Sequence, residues 1–356
     1  MSRFTSPDDA VVDGAGVEEV VRLDLRTDSE PVDGVSPVRG RPAVRRLLER
    51  SRLEPSDLSQ PVLLTESVDR LDGSPPTVSL AGLPRLVRHA RDVGLRSVKL
   101  FAGGAARDDS ASDAASASSL MVRAIEVAKD AGGDLAVMTE NCLCSYTADG
   151  NCFLTTADGQ LDYQRTLDVL CAQAVAQAEA GADVLGPAAM LEGLTSAVRA
   201  TLDDSGHRAV ALMPHVIFAS RLYGGYRRAM QAAPRSGNRA AFQIHASRPE
   251  QALDYSLRCL HEGADMLLLE PALFTVDVLV RIRATTNAPL FLFSVSGEHA
   301  LLARGQSLSE RDRDAVLVEY LTMLKRAGAE AIITYSALHV AQLLDNLGGG
   351  ESGAAS

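Results

Sequence analysis

The stretch MVRAIEVAKDAGGDLAVMTEN, residues 121–141, contains the unit on which the fold is built. Its first half has the apolar spacing of an amphipathic helix, and two glycines follow it. Glycine just past a helical pattern is a common helix stop, because it adopts the left-handed backbone conformation without steric cost. The second half, residues 135–141, is a short apolar run typical of a buried strand. The stretch therefore predicts a helix that leads directly into a β-strand.

The same alternation of strand and helix patterns extends over roughly 300 residues. Eight strand patterns occur, each followed by a helical stretch: PVLLTES, SVKLFAG, LAVMTEN, DVLGPAA, AVALMPHVI, DMLLLEPA, LFLFSVSG and AIITYSA. Eight such units predict an α/β protein of the (β/α)8 TIM-barrel class, with its active site at the carboxyl ends of the strands. A doubly wound open sheet is the alternative, but no glycine-rich phosphate loop follows the first strand.

The composition of the sequence indicates how the chain is divided and which classes of partner are not expected. Residues 1–38 are polar and predict an N-terminal arm or flexible leader, residues 39–346 carry the barrel pattern, and residues 347–356 predict a flexible tail. The 356-residue chain has a formal net charge of -11, whereas nucleic acids and anionic membranes require a basic surface, so we expect neither partner. The sequence shows no signal-peptide pattern and no long apolar run, which predicts a cytoplasmic protein.

Three of the five cysteines, Cys142, Cys144 and Cys152, follow the third strand pattern with the spacing C-x-C-x7-C. Zinc prefers thiolate ligands, and a catalytic zinc keeps one position open for water or substrate, so we predict a zinc site here. The alternative is three unligated thiols in a mobile loop. Cys171 and Cys259 lie within helical patterns and are expected to be core residues.

Several sequence blocks resemble the porphobilinogen synthase family, also called δ-aminolevulinate dehydratase. The resemblance extends from Pro42 to Ala337, and its blocks follow the family order: CLCSYTADGNC, AGADVLGPAAMLEGLTSAVRATLDDSGH, FASRLYGGYRRAM, EGADMLLLEPAL, FSVSGEHALL and KRAGAEAIITYSA. The first block resembles the zinc loop of the family. The resemblance implies a barrel, an N-terminal arm that wraps a neighbouring subunit, and a homo-oligomer that is commonly an octamer.

The family joins two molecules of 5-aminolevulinate into a pyrrole and holds them as Schiff bases on two lysines. The resemblance places Ile217 and Glu270 at those lysine positions. Neither side chain can form an imine, so nucleophilic amine catalysis at these two points is excluded. It also places Ala188 and Ala189 at a Ser-Asp pair, and Asn151 at a histidine.

Other family positions are retained. The acidic residue before the zinc loop survives in altered form as Glu140. Arginine suits a carboxylate because its planar fork donates two parallel hydrogen bonds, although each arginine taken alone could equally form a surface ion pair. The residues that match the substrate-binding positions are Arg227, Arg239 and Gln243 for one carboxylate, Ser296 and Tyr335 for the other, and Phe101 in the site.

Two further side chains are candidates for new roles. His215 lies two residues before Ile217, so strand alternation points both into the barrel, where His215 could be a general base, an added metal ligand or a hydrogen-bonded core histidine. Lys99, one of only three lysines, lies two residues before Phe101 on one strand face. It could neutralise Glu270, because a buried carboxylate needs a partner, or it could be a relocated amine nucleophile.

These features predict a zinc-dependent lyase or condensing enzyme that acts on a small amino- or keto-carboxylate without the two-lysine mechanism. Glu270, His215 or Glu140 would move protons, and the divergence suggests specialised metabolism. Two alternatives remain open: a catalytically silent assembly or regulatory relative, and an orthodox porphobilinogen synthase of tetrapyrrole synthesis.

Overall fold

The computed structural model describes residues 52–66, 75–103, 106–233, 242–303 and 308–348, together with positions 36, 44, 47 and 48. The predicted N-terminal arm lies outside the described residues apart from Ser36, and so does the predicted tail beyond Gly348. None of the described helices is both long enough and apolar enough to cross a membrane.

The described strands form one parallel sheet, and their order around it is β6-β5-β4-β3-β1-β10-β9-β8-β7. The short β2 pairs in parallel with the end of β1. The strands are β1 Leu58–Thr65, β2 Thr77–Ser79, β3 Ser97–Ala102, β4 Ala136–Asn141, β5 Val184–Pro187, β6 Ala211–Leu212, β7 His215–Ile217, β8 Leu267–Glu270, β9 Leu290–Ser294 and β10 Ala331–Thr334.

The sheet closes into a barrel at the segment between β6 and β7. The two strands at the ends of the order, β6 and β7, are separated only by Met213 and Pro214. The Met213 amide donates to the Leu185 carbonyl at 2.8 Å, and the Leu268 amide donates to the Pro214 carbonyl at 3.1 Å. This segment therefore joins the strands on both sides and completes a ring of eight. The predicted (β/α)8 class is confirmed, and the open sheet is excluded.

Helices surround this ring. They are α1 Leu83–Asp92, α2 Leu120–Gly132, α3 Tyr163–Glu179, α4 Leu194–Asp204, α5 Gly224–Ala229, α6 Pro249–His261, α7 Ala272–Arg283, α8 Ser296–Ala303, α9 Glu310–Ala327 and α10 Ala337–Gly348. The local sequence sets the ends of α2, since the Ser119 hydroxyl accepts a hydrogen bond from the Val122 amide at 3.3 Å. Gly133 follows the helix with a φ of 65°, which is the predicted glycine stop.

Two apolar cores hold these layers together. One fills the space between the strands and the helices, and it includes Val98 and Leu100 of β3. The other fills the inside of the ring, and it includes Phe101 from the opposite face of the same strand. Because strand side chains alternate between the two faces, Lys99 shares the inner face with Phe101. Alternation thus brings ionisable side chains into the barrel.

Candidate active site

A cavity of about 660 Å³ opens at the carboxyl ends of the barrel strands. Its wall combines two carboxylates, three thiols and several aromatic rings. The lining includes Glu140 and Glu270, Cys142, Cys144 and Cys152, and the rings of Phe101, Tyr223, Tyr226, Phe242, Phe293 and Tyr335. Most of the predicted site residues therefore face one space.

The thiols of Cys142, Cys144 and Cys152 lie within 4.8 Å of one another. Hydrogen bonds with the other two thiols, together with burial, raise the pKa of Cys142 well above its ordinary value. A bound cation reverses that effect, because metal coordination deprotonates a thiol. The separation suits a single zinc, since Zn–S bonds of about 2.3 Å place tetrahedral ligands about 3.8 Å apart. The donor set therefore fits the predicted metal and leaves the fourth ligand position to another group.

The loop that carries the thiols is fixed by its own hydrogen bonds. The Leu143 carbonyl accepts from the amides of Tyr146 and Thr147 at 2.8 and 3.0 Å. The Thr147 hydroxyl donates to the Asn151 carbonyl at 2.7 Å. These bonds fold residues 143–151 back, so that the third cysteine returns to the first two.

Glu270 ends β8 and is hydrogen-bonded to His215 of β7. The His215 Nδ1 atom lies 2.9 Å from Glu270 Oε1, and the two side chains are only 1% and 7% exposed. Burial and then the charge of Lys99 lower the pKa of His215. We therefore assign a neutral imidazole that donates from Nδ1 to the carboxylate. Glu270 lines the cavity, whereas His215 lies behind it.

Lys99 lies in the barrel beneath the cavity and is fully buried. Its ammonium donates a hydrogen bond to the Thr139 carbonyl at 2.8 Å. Gly186 makes room for it, because a Cβ atom there would lie 2.8 Å from Lys99 Nζ and 2.7 Å from His215 Nε2. A larger residue at this position would push both nitrogens away.

The structure differs from the predicted pairing of Lys99 with Glu270. Among the described residues, no carboxylate oxygen lies within 4.0 Å of the Lys99 ammonium. Glu270 instead accepts a hydrogen bond from His215, which lies on the neighbouring strand β7. Lys99 still interacts with both carboxylates through charge. Burial lowers the pKa of Lys99, and the negative charges of Glu140 and Glu270 oppose that decrease.

Glu140 lies on β4 and accepts a hydrogen bond from the Tyr226 hydroxyl at 2.9 Å. Burial, and then the charge of Cys144, raise the pKa of Glu140, whereas Lys99 lowers it. The Tyr226 amide also donates to the Ser296 hydroxyl at 3.0 Å. Tyr226 therefore connects Glu140 to Ser296 through two hydrogen bonds. Sequence reasoning missed this tyrosine because its partners are 70 and 86 residues away in the chain.

Of the residues matched to carboxylate binding, Arg227, Gln243, Ser296 and Tyr335 line the cavity. Among the described residues, the buried Tyr335 hydroxyl has no hydrogen-bond partner, so it can donate to a ligand. The Ser296 hydroxyl is already engaged, since it donates to the Leu222 carbonyl at 3.3 Å. Arg239 lies outside the described residues.

The buried carboxylate of Glu298 on α8 joins two strand ends of the site. It accepts from the amides of Ala272 and Leu273 at 3.3 and 2.6 Å, directly after the end of β8. It also accepts from the Val295 amide at 2.7 Å, at the end of β9. Glu298 therefore fixes the backbone that carries Glu270 relative to the backbone that carries Ser296. Sequence reasoning did not single it out.

The eight-stranded ring is a TIM barrel. Its thiols and carboxylates lie at the carboxyl ends of the strands, where TIM-barrel enzymes have their active sites. The sequence profile described as "Delta-aminolevulinic acid dehydratase" matches residues 35–343. A protein of that name from Methanothermobacter thermautotrophicus is 34% identical over 319 residues, which cover 86% of this chain and 96% of the relative. The chloroplastic protein of Glycine max is 34% identical over 85% of this chain and 76% of its own length.

A solved structure shows the same likeness. The delta-aminolevulinic acid dehydratase of Toxoplasma gondii, in complex with the reaction product porphobilinogen, has a TM-score of 0.83 and 28% identity to this chain. The match covers 92% of this chain and 96% of the other. The chain therefore belongs to the delta-aminolevulinic acid dehydratase family.

Proposed function

We propose that the chain is a metal-dependent lyase of the dehydratase or condensing type, which takes a small amino- or keto-carboxylate into the barrel mouth without imine chemistry at Ile217 or Glu270. The observation that carries the proposal is the buried hydrogen bond of 2.9 Å between His215 and Glu270. An oriented carboxylate at the cavity wall suits proton transfer, whereas it cannot form an imine.

The lysines of the chain support this proposal. Lys129 pairs with Asp183 at 2.8 Å, and Lys325 pairs with Asp57, both in the outer part of the protein. Lys99 is therefore the only lysine of the chain inside the barrel, and its amine is fully buried against the Thr139 carbonyl. Imine formation with a ligand in the cavity would require this amine to leave its position.

The two carboxylates of the wall have different surroundings. Glu270 receives its hydrogen bond from His215, which orients the carboxylate and leaves the other oxygen for a ligand. We assign Glu270 as the group that accepts a proton from the substrate, and His215 as the residue that positions it. Glu140, which lines the cavity and accepts a hydrogen bond from Tyr226, is the candidate proton donor.

The thiols of Cys142, Cys144 and Cys152 would hold the metal. A bound zinc supplies Lewis acidity toward a carbonyl or a more acidic water. The carboxylate end of the substrate would meet Arg227, Gln243 and the free hydroxyl of Tyr335. The departure at the lysine positions suggests a role in specialised metabolism.

Porphobilinogen synthesis is the second candidate, and the comparisons favour it. The relatives at 34% identity bear the name of this dehydratase, and the similar solved structure contains porphobilinogen. In this case Lys99 would supply the only amine within the barrel.

Two measurements separate these candidates. Purified protein with zinc and 5-aminolevulinate is tested for pyrrole formation by a colour reaction, beside the Methanothermobacter relative as positive control. We expect no product at the rate of the relative, and borohydride should trap no adduct at positions 217 or 270. Robust pyrrole formation would establish the second candidate, and an adduct on Lys99 would identify a relocated amine.

The proton-transfer role is tested without a known product. Amino- and keto-carboxylates, including 5-aminolevulinate and 4-oxopentanoate, are incubated in D2O, and carbon-bound deuterium is followed by NMR. We expect exchange next to the carbonyl to be about a hundredfold faster with wild type than with Glu270→Gln. Absence of exchange with every compound, in zinc-loaded protein, would favour a catalytically silent relative.

A further inference from the structure

Arg107 lies in the loop between β3 and α2 and donates hydrogen bonds to two other loops at the barrel mouth. One Nη atom lies 3.3 Å from the Cys144 carbonyl and 3.0 Å from the Gln231 carbonyl. The other Nη atom lies 2.6 Å from the Met230 carbonyl. A single guanidinium therefore joins the thiol loop to the segment that follows α5.

The two joined segments carry different parts of the site. Cys144 supplies one thiol of the metal cluster. Met230 directly follows α5, which carries Tyr226 and Arg227 on the cavity wall. The Met230 amide bonds to the Tyr226 carbonyl at 2.9 Å, so the end that Arg107 holds is hydrogen-bonded to the wall residue itself.

The backbone that Arg107 contacts has an unfavourable conformation at Gln231. Gln231 has a φ of 50°, a left-handed conformation that is unfavourable for a residue other than glycine. Its carbonyl is one of the acceptors of Arg107. Charge-assisted hydrogen bonds are about twice as strong as neutral ones, so the guanidinium stabilises this conformation.

We propose that Arg107 is a positioning residue that couples metal binding at the thiol cluster to carboxylate binding beside α5. The inference rests on the ligand assignments of the proposed function. Metal on the thiols would hold the Cys144 carbonyl in the position that Arg107 contacts, and Arg107 would in turn hold the end of α5. Coupling is reciprocal, so a bound carboxylate must strengthen metal binding by the same factor.

The geometry explains why arginine is needed. Three carbonyls on two segments require at least two donor nitrogens held in one plane, which the guanidinium provides. A lysine ammonium is a compact point charge and reaches fewer of these acceptors at once. Glutamine keeps a polar side chain of similar reach but loses the charge and the fork.

The test measures binding rather than turnover. Cadmium is titrated into the full-length apoprotein, and the ultraviolet absorbance of the cadmium–thiolate bonds is followed with and without 4-oxopentanoate. Affinity for 4-oxopentanoate is measured by calorimetry with and without cadmium. The proteins are wild type, Arg107→Gln, Arg107→Lys, and the control Arg91→Gln, which removes only an exposed pair with Asp92.

In wild type and in the control, 4-oxopentanoate should tighten cadmium binding about tenfold, and cadmium should tighten 4-oxopentanoate binding equally. In Arg107→Gln the coupling should fall to about twofold or less, and cadmium affinity should fall at least about tenfold. Arg107→Lys should lie between the two. Circular dichroism and thermal unfolding identify misfolding, and if Arg107→Gln does not fold, Arg107→Lys decides the outcome.

Equal coupling in wild type and the folded Arg107 variants would overturn the proposal. So would a wild type without coupling, or one that fails to bind 4-oxopentanoate when loaded with cadmium. A protein that shows the coupling but performs no chemistry contradicts the proposed function alone. A protein that performs the chemistry with coupling independent of Arg107 contradicts this inference alone.

Discussion

Inside the barrel, four ionisable side chains lie close together: the buried Lys99, His215 and Glu270, and the half-buried Glu140. Each side chain has a polar partner, as buried polar groups require, although the His215 Nε2 atom has none among the described residues. Lys99 donates to a carbonyl, Glu140 accepts from a tyrosine, and the other two bond to each other. The desolvation cost of these groups is thus shared among several hydrogen bonds rather than offset by one ion pair.

Glu270→Gln should separate proton transfer from stability. The amide oxygen of glutamine can still accept from His215 Nδ1, and Lys99 keeps its own acceptor on Thr139. We expect the free energy of unfolding to change by about 1 kcal/mol or less, and turnover or deuterium exchange to fall about a hundredfold. Thermal melting and the NMR exchange assay check this. A loss of 3–5 kcal/mol would instead assign Glu270 to charge balance, and normal stability with normal turnover would exclude both roles.

Lys99→Met should destabilise the fold. It removes the buried cation whose charge acts on Glu140 and Glu270, and it removes the hydrogen bond from Lys99 to the Thr139 carbonyl. We expect a loss of about 3 kcal/mol in the free energy of unfolding, measured by urea denaturation. Lys129→Met is the matched control, because its partly exposed pair with Asp183 should contribute less than about 1 kcal/mol. Equal effects of the two changes would contradict a structural charge on Lys99.

The double variant Cys144→Ala/Cys152→Ala should lose its zinc. It leaves one of three thiols, too few to hold the ion against dialysis. Elemental analysis should show about one zinc per chain in wild type and close to none in the variant. Cys171→Ala, a half-buried cysteine on α3, should keep the wild-type content. Unchanged zinc in the double variant would refute the site.

Among the elements, α7 depends on a neighbour for the capping of its first turn. Pro271 at its N-cap supplies no side-chain acceptor, and the Glu298 carboxylate of α8 accepts from the first two amides instead. Burial raises the pKa of Glu298 to about 7 from its ordinary value of 4.5. Between these pH values the folded chain holds a proton that the unfolded chain has released.

Glu298→Gln should therefore change the pH dependence of stability. The contribution of the raised pKa is complete below about pH 4.5 and is lost as the pH rises through about 7. Relative to the variant, wild type should lose on the order of 3 kcal/mol of unfolding free energy across that range. Urea denaturation at several pH values measures it, with the exposed Glu319→Gln as control. Parallel curves for wild type and Glu298→Gln would contradict the assignment.

The strand patterns of the sequence predicted all eight strands of the ring, because apolar runs at regular spacing reflect burial on two faces. The fifth was predicted as one strand, AVALMPHVI, yet it is split into β6 and β7 at Pro214, which lacks an amide hydrogen. The three-residue β2 was missed because it is too short to show a period. Alternation also indicated the inward side of Lys99 and His215.

Contacts between distant loops could not be predicted in this way. Tyr226, Arg107 and Glu298 obtain their roles from carbonyls, amides and carboxylates far away in the chain, and a single sequence carries no periodic signal for such pairs. The same limit explains why the partner of Glu270 was not identified. Lys99 was the partner that the sequence suggested, whereas the pairing of β7 with β8 brings His215 to Glu270.

For the assembled molecule, we predict a homo-octamer, as the family resemblance implies. The segment expected to form the intersubunit arm, residues 1–38, lies outside the described residues except for Ser36. Light scattering of the full chain at micromolar concentration measures the state. Removal of residues 1–38 should reduce the assembly, because it deletes the predicted arm. A full-length chain that remains a monomer would contradict the prediction.

Because the chain has only three lysines, the acylation of Lys99 can report how often the native barrel opens. An acylating reagent can reach the amines of Lys129 and Lys325 in the native protein, because their side chains are 33% and 26% exposed. Lys99 has no exposure at all, so its acylation must wait for the strands to part. The ratio of modified Lys99 to modified Lys129, followed by mass spectrometry, would report how often the native ring opens. Bound metal and substrate should slow the acylation of Lys99, because they stabilise the native barrel.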